Sequence, residues 1–236
     1  MHLQGLLRSF LPHPSPVTFT EKLRSGLAGG VAILVLAVVL RYVLPHDAPL
    51  PMLASMAASA VLLFAVPHSP LAQPWNLVGG HVVSAIVGWT CGLVVSDPVI
   101  AAGLAVGISI FLMSVSNCLH PPGAATALTL VLNATQFHGM AWTAVAWIVL
   151  ANITVFLLLG LLLNNVLPHR RYPSPPARPQ LAPGAGPVVG LEPPDLAWAL
   201  GQMDGLIDID LADLGAIYEK ALHHARQRGA GASKGA

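Results

Sequence analysis

The sequence predicts an all-α, polytopic helical membrane protein with six apolar segments, followed by a short soluble helical tail. The 236 residues are 55% hydrophobic and only 9% charged, whereas a typical soluble domain is about 25% charged. No Lys or Arg occurs between Arg41 and Arg170. Because charged side chains are costly in lipid, that interval is expected to lie largely within a membrane.

Composition divides the chain into five zones. They are a cytoplasmic N-terminus (1–24), a transmembrane domain (25–166), a Pro-rich linker (167–191), an amphipathic helical tail (192–228) and a flexible end (229–236). The linker is rich in Pro, Gly and Ala, so we expect it to be extended and to build no core. No cleavable signal peptide is expected, since the first apolar run begins too late and no small-residue cleavage site follows it.

Six apolar segments make up the transmembrane domain. Their predicted bounds are Gly26–Leu44, Met52–Val66, Leu77–Val95, Val99–Val115, Gly123–Leu132 and Ala141–Leu163. A straight transmembrane helix needs about 20 residues, so the second and fifth segments are short. Short segments interrupted by Pro or Gly are the best sequence indicator of a transporter binding site.

Basic residues predict the orientation. Lys22 and Arg24 precede the first segment, and Arg170 and Arg171 follow the last. The positive-inside rule therefore places both termini in the cytoplasm. The expected location is a cell inner membrane. This requires an even number of crossings: six if the short segments cross, four if neither does. We prefer six, which puts the loops at 67–76 and 117–122 on the cytoplasmic side and the turn at 96–98 on the far side.

Small residues predict how the helices pack. One stripe, spaced every four residues, contains Gly80, Ser84, Gly88 and Gly92, and a second contains Gly103 and Gly107. Such stripes let helix backbones approach closely in lipid. In the tail, an apolar helical stripe contains Leu211, Leu214, Ile217, Tyr218 and Leu222. A homo-oligomer formed through the transmembrane stripes and a helix over 210–227 is therefore a hypothesis.

The stretch NCLHPPGAATAL, from Asn117 to Leu128, interrupts the apolar domain. Proline has no N–H and fixes φ, so Pro121 and Pro122 should end one segment and start a new helix. We expect the N–H groups near Gly123, Ala124 and Ala125 to lack carbonyl partners and to carry the positive end of the helix dipole. An anion is the natural occupant of such a position, and a glycine there would let it approach the backbone.

Neutral polar side chains flank this predicted anion site. Asn117 and Thr126 can donate hydrogen bonds to a ligand, and His120 can bind it or carry a proton. The absence of Lys and Arg agrees with conduction, which needs binding weak enough for release. The alternative is that Asn117 or His120 only caps the helix break.

An earlier stretch, PHSPLAQPWN, also places His and then Pro after an apolar run. A weak internal duplication would bring the two breaks to one site, whereas the alternative is two unrelated proline turns. The duplication adds His68, Ser69, Gln73 and Asn76 to the candidate substrate-binding residues. His81 joins them because an ionisable residue within a span is a functional candidate, although a neutral histidine bonded to a carbonyl is equally compatible.

Other classes of function have little support. No zinc-type ligand spacing occurs, so no metal or other cofactor is expected, although His68, His81 and His120 could converge. The core lacks carboxylates and a nucleophile motif, so an enzyme is not expected. No basic stripe with aromatics points to nucleic acid. Cys91 and Cys118 lie in apolar segments and are expected to be reduced.

The stretches at 68–88 and 117–128 together resemble the two signature stretches of the HPP family of membrane proteins, named for His-Pro-Pro. Here those residues are His120, Pro121 and Pro122, and the resemblance covers about residues 10–170. It implies a domain usually described as having four spans. Plant and cyanobacterial members are implicated in nitrite transport. Some members continue into nucleotide-sensing CBS domains; these 236 residues contain no such pair, so nucleotide regulation is not expected.

Three hypotheses follow. The first is passive or proton-linked passage of a small monovalent anion, nitrite first, bound at the start of the helix after the HPPG motif. The second is an intramembrane metal or redox enzyme that uses the histidines. The third is a structural or sensory membrane protein that acts through its tail. The expected partners are the lipid bilayer and a small inorganic anion.

Overall fold

The computed structural model describes residues 17–46, 52–137, 140–166, 170–174 and 218. Within these residues every regular element is a helix, which confirms the all-α prediction. Residues 17–174 belong to one compact unit. The predicted N-terminal zone up to residue 16, the flexible end, and the apolar stripe of the tail apart from Tyr218 lie outside the described residues.

Six helices correspond to the six predicted apolar segments, and a four-residue helix was not predicted. In chain order the helices are α1 (Phe19–Val43), α2 (Ser55–Ala65), α3 (Pro74–Val94), α4 (Pro98–Val115), α5 (Pro121–Leu132), α6 (Ala134–Phe137) and α7 (Trp142–Val166), with a 3₁₀ turn at Pro70–Ala72. Helices α3, α4 and α5 each begin at a proline, the residue best suited to a first helical position. Asp97 also accepts hydrogen bonds from the first turn of α4.

Only four of these helices are long and apolar enough to cross a bilayer alone, namely α1, α3, α4 and α7. Helices α2 and α5 have 11 and 12 residues. At 1.5 Å per residue they extend about 16 to 18 Å, little more than half of the roughly 30 Å hydrocarbon core. The preferred count of six crossings therefore does not correspond to six full-length spans.

Side-chain contacts show which helix ends lie together. Arg170, just after α7, contacts Glu21 in the first turn of α1 through Nε at 2.8 Å. The Tyr172 hydroxyl donates to the carbonyl of Ala72, just before α3, at 2.8 Å. Asn76 in α3 donates to the carbonyl of Leu119, after α4, at 2.9 Å. The starts of α1 and α3 and the ends of α4 and α7 thus share one end of the unit.

The two short helices, α2 and α5, each run in the direction opposite to the long helix that precedes them in the chain. In α2, Leu63 O accepts from Asn164 near the end of α7, whereas the Leu53 N–H just before α2 donates to Asn152 in the middle of α7. Helix α2 therefore runs from mid-depth to the shared end. Helix α5 runs parallel to α3, because Gly123 lies against Gly80 and Ala127 lies against Gly88. The six helices thus alternate in direction, as a six-pass chain requires.

The packing has two parts. Helices α1, α2 and α7 enclose an apolar core in which Phe64 and Phe156 meet edge to face, with ring centroids 6.2 Å apart. Helices α3, α4 and α5 pack through small residues, and the predicted stripe with Gly88 and Gly92 faces α5. The second stripe does not pack within the unit: a Cβ added at Gly103 or Gly107 would meet nothing within 4 Å.

Residues 170–174 pack against the transmembrane domain, although the sequence assigned them to an extended linker. Tyr172 is one of the largest fully buried side chains, and Arg170 is also buried. Arg170 is paired with Glu21 and bonds Ser25 and Asn164. The composition-based boundary at 166 missed this packing because an aromatic and a paired guanidinium fill a site that depends on α1 and the 3₁₀ turn.

Candidate functional site: a buried imidazole–hydroxyl cluster

Five polar side chains meet inside the apolar domain, where α2 and α5 contact α3. We call them the imidazole–hydroxyl cluster: Ser55, Ser59, His81, His120 and Thr126. Each is at most 1% exposed. Buried polar groups are stable in such surroundings only when they are hydrogen-bonded, so the cluster is expected to satisfy itself internally.

Glycines, which have no side chain, let the backbones of α3 and α5 come close enough to form the cluster. A Cβ at Gly80 would lie 2.5 Å from the Cβ of His120, and one at Gly123 would lie 2.7 Å from the Gly80 carbonyl oxygen. Cβ atoms do not tolerate such distances, so larger residues would push α5 away from α3. The two glycines thereby bring His120 beside His81, with ring centroids 5.0 Å apart.

Hydrogen bonds connect all five side chains in one chain. Ser55 Oγ lies 2.7 Å from Thr126 Oγ1, which lies 2.7 Å from His81 Nδ1. Ser59 Oγ then bridges the rings, 3.0 Å from Nε2 of His81 and 3.0 Å from Nε2 of His120. Beyond this chain, His120 Nδ1 lies 2.8 Å from the carbonyl oxygen of Leu71.

The carbonyl at the end determines the direction of every bond when both rings are neutral. Leu71 O can only accept, so His120 donates from Nδ1 and must accept at Nε2. Ser59 therefore donates its single hydroxyl proton to His120. The Ser59 oxygen then accepts the Nε2–H of His81.

The same reasoning continues to the far end of the cluster. Because His81 carries its proton on Nε2, its Nδ1 accepts from the Thr126 hydroxyl. The Thr126 oxygen in turn accepts from the Ser55 hydroxyl. All donors therefore point the same way, from Ser55 in α2 toward Leu71 in the 3₁₀ turn.

The start of α5 differs from the predicted open anion site. Pro121 and Pro122 have no N–H, and the N–H of Gly123 donates to the His120 carbonyl at 2.7 Å. The expectation that Gly123 N–H lacks a carbonyl partner is therefore wrong. The space left by the missing glycine side chain is occupied by α3, so glycine serves helix packing here. Of the next two residues, Ala124 is half-buried and Ala125 is exposed.

The remaining candidate residues lie outside the cluster. His68 Nδ1 is 3.3 Å from Ser174 Oγ, and Gln73 Oε1 accepts from the Ser174 N–H at 2.9 Å. Ser69 caps the 3₁₀ turn by accepting from Leu71 N–H. Asn117 is exposed with a left-handed φ of 51°. His68 therefore does not converge with the other two histidines, whereas the two Pro-containing breaks do meet, through Asn76 and Leu119.

Sequence reasoning missed Ser55, Ser59 and the Leu71 carbonyl. A signal for the two serines was present, since they are four residues apart in an otherwise apolar helix and therefore share one face. The Leu71 carbonyl had no signal, because any residue type offers one. Its role depends on the 3₁₀ turn beside the HPP motif.

The cluster offers little to a metal ion. Within the described ranges, no three His, Cys, Asp or Glu side chains are close enough to hold one. All four ring nitrogens of His81 and His120 already lie within hydrogen-bond distance of a hydroxyl or a carbonyl. Cys91 and Cys118 are both buried free thiols. The arrangement suits hydrogen bonding and proton movement.

The fold and this enclosed cluster define a multi-pass helical membrane protein with a polar site in its apolar interior. Comparison of the sequence with known families gives the particular family. The profile described as HPP, transmembrane region, matches residues 14–173, which is more than half of the chain. The chain therefore belongs to the HPP transmembrane family, which confirms the resemblance seen in its two motifs.

Two transmembrane proteins of Dictyostelium discoideum are similar to this chain. One is 42% identical over 153 residues, covering 62% of this chain and 53% of that protein. The other is 40% identical over 154 residues, covering 63% of this chain and 49% of that protein. The chain thus spans about half the length of these relatives. No solved structure matches it.

Proposed function

We propose that this protein passes a small monovalent anion, nitrite first, through its transmembrane domain beside the imidazole–hydroxyl cluster. The observation that carries the proposal is the cluster itself, with five polar side chains at most 1% exposed in a domain built to exclude polar groups. Ionisable side chains at membrane depth, here His81 and His120, are functional candidates because they mark substrate and ion pathways. The cluster also lies at two shortened helices, which are typical of transporter binding sites.

The chemistry of the cluster suits a weakly held anion. Hydroxyl and neutral imidazole groups donate hydrogen bonds without a fixed charge, and the sequence has no Lys or Arg between Arg41 and Arg170. Binding by neutral donors permits release, which conduction requires. An anion in transit would accept a hydrogen bond from one of these side chains in place of that side chain's partner within the cluster, so these donors replace the backbone N–H groups of α5 as the anion-binding element. The resemblance to the HPP family, whose plant and cyanobacterial members are implicated in nitrite transport, supports nitrite as the first substrate to test.

Flux into proteoliposomes tests the proposal. Purified protein in lipid vesicles should accumulate nitrite with saturable kinetics, faster than protein-free vesicles, and nitrate, chloride and formate should compete to different extents. Thr126→Val removes one donor while keeping the shape of the side chain. A lost hydrogen bond costs about 1 kcal/mol, so the uptake rate at low nitrite should fall roughly five- to tenfold.

Thr129→Val is the matched control. Its hydroxyl donates to the Ala125 carbonyl of its own helix at 2.7 Å, so uptake should remain close to the wild-type rate. An equal loss of nitrite uptake in Thr126→Val and Thr129→Val would indicate that both substitutions disturb the packing of α5. Absence of saturable flux for every anion would overturn the proposal, and a metal or chromophore retained by the purified protein would favour an intramembrane redox enzyme.

A further inference from the structure

We propose that the imidazole–hydroxyl cluster is a proton relay that carries one proton from Ser55 to His120. This inference rests on the proposed function only in that a transported anion would accompany the proton. The relay itself can be tested without measuring anion transport. The ordered donor directions carry the inference, since Thr126, His81, Ser59 and His120 each lie between one donor and one acceptor, with Ser55 at the start of the chain.

The transfer begins when an aqueous proton reaches Ser55 Oγ. Ser55 then passes its original proton to Thr126 Oγ1, and Thr126 passes its own to Nδ1 of His81. His81 releases the proton on Nε2 to Ser59 Oγ, and Ser59 releases its own to Nε2 of His120. Four O–H or N–H bonds break within the cluster while five form, the fifth being to the incoming proton, so the cluster gains a single positive charge.

The two histidines have different tasks in this sequence. His81 exchanges one ring proton for the other, so it ends neutral in the opposite tautomer. His120 ends as an imidazolium because Leu71 O holds its Nδ1–H throughout, at 2.8 Å. Charged donors make the stronger hydrogen bonds, so this carbonyl favours the proton at His120. Leu71 thereby sets the end of the relay.

The surroundings contain little that would compete for the proton. Among the described residues, the titratable groups near His120 are His81, the Cys118 thiol two residues away, and Tyr172, whose hydroxyl bonds to the carbonyl of Ala72. Helices α2 and α5 have no Asp, Glu, Lys or Arg, and α3 adds only Cys91. A protonated His120 would add a positive charge to this end of the domain, where Arg170 is already paired with Glu21, and would neutralise an anion in transit.

Nitrogen-15 NMR of the imidazole rings in lipid bilayers tests the relay directly. At high pH, His120 should carry its proton on Nδ1 and His81 on Nε2. As the pH falls and His120 becomes doubly protonated, His81 should change to the Nδ1–H tautomer over the same pH range. If His81 keeps its Nε2 proton while His120 titrates, or if neutral His120 carries its proton on Nε2, the relay is overturned.

Ser59→Ala should uncouple the two rings. His120 should still titrate, but the tautomer of His81 should no longer follow it. Ser114→Ala is the control, because the Ser114 hydroxyl is exposed and bonds to Ile110 O of its own helix. In this variant the tautomer of His81 should follow the titration of His120 as in the wild type. A coupled change that persists in Ser59→Ala would show that the protons take another path.

Simultaneous recording of nitrite and internal pH separates this proposal from the proposed function. Nitrite uptake with matching proton uptake in the wild type, and loss of the proton component in Ser59→Ala, would support both. Saturable nitrite uptake without protein-dependent proton movement would overturn the relay and leave anion passage in place. Tautomer coupling without nitrite uptake would overturn anion passage and leave the relay. Protein-free vesicles correct for nitrous acid that crosses the lipid unaided.

Discussion

At the scale of single residues, the close approach of α3 and α5 depends on glycines. Gly80 in α3 and Gly123 in α5 lie against each other. Further along the same two helices, a Cβ at Gly88 in α3 would be 2.5 Å from the carbonyl oxygen of Ala127 in α5. That neighbour is backbone, which cannot rotate away as a flexible side chain can. The position of His120 beside His81 therefore depends on small residues that have no polar group of their own.

Gly88→Ala should destabilise the protein. Overpacking a close contact costs about 1 to 3 kcal/mol, so the unfolding temperature in detergent should fall measurably. Gly103→Ala is the matched control, because its added Cβ meets nothing within 4 Å and alanine favours a helix over glycine by about 0.5 to 1 kcal/mol. Gly103→Ala should be neutral or stabilising, and equal losses in both variants would contradict the packing argument.

At the scale of elements, the segment 170–174 connects the end of α7 to the 3₁₀ turn. The Tyr172 hydroxyl bonds to Ala72 O, next to the Leu71 carbonyl that accepts from His120. Burial raises the pKa of the Tyr172 phenol, so the hydroxyl remains a donor at every physiological pH. This contact holds the 3₁₀ turn in the position that the cluster requires.

Tyr172→Phe should lower stability by about 1 kcal/mol, because it removes this hydrogen bond and leaves a buried carbonyl. The raised pKa determines the pH dependence: the contribution is fully present below about pH 10, where free tyrosine ionises, and is lost as the pH rises through the higher folded value. The difference in unfolding temperature from the wild type should therefore be constant up to about pH 10 and then shrink. Tyr42→Phe, at a side chain that is 85% exposed, should show neither effect.

At the scale of the whole molecule, the two short helices determine the topology. Helix α2 lies between α1 and α3 in the chain. If α2 did not return the chain to the end where α1 starts, α1 and α3 would have to run in opposite directions. The contacts of Glu21 and Ala72 with the segment after α7 place the starts of α1 and α3 at the same end. The full-length and the shortened helices therefore alternate in direction, although only four of them are long enough to cross a bilayer alone.

Labelling of single cysteines with a membrane-impermeant maleimide tests this topology. With Cys91 and Cys118 replaced, Ser116→Cys should react from the same side as both termini, and Ser96→Cys from the opposite side. A chain that crosses only four times would give the reverse result at both positions. The native cysteines are buried, so the cysteine-free protein must first be shown to retain the wild-type fold.

The sequence by itself determined the membrane class, the six helices and the two proline breaks. These features depend on composition, hydropathy and proline, which act locally. It also indicated His81, His120 and Thr126 one by one, since polar residues within apolar segments are conspicuous.

Only the tertiary structure decided that these three residues meet Ser55 and Ser59, that His68 does not join them, and that the start of α5 packs against α3. Those outcomes depend on how closely helices distant in sequence approach, which is set by glycine contacts between α3 and α5 and by the contacts of residues 170–174. The direction of the hydrogen-bond chain depends on one backbone carbonyl, at Leu71. No residue type could have revealed it, because every residue has a carbonyl and only the fold brings this one to His120.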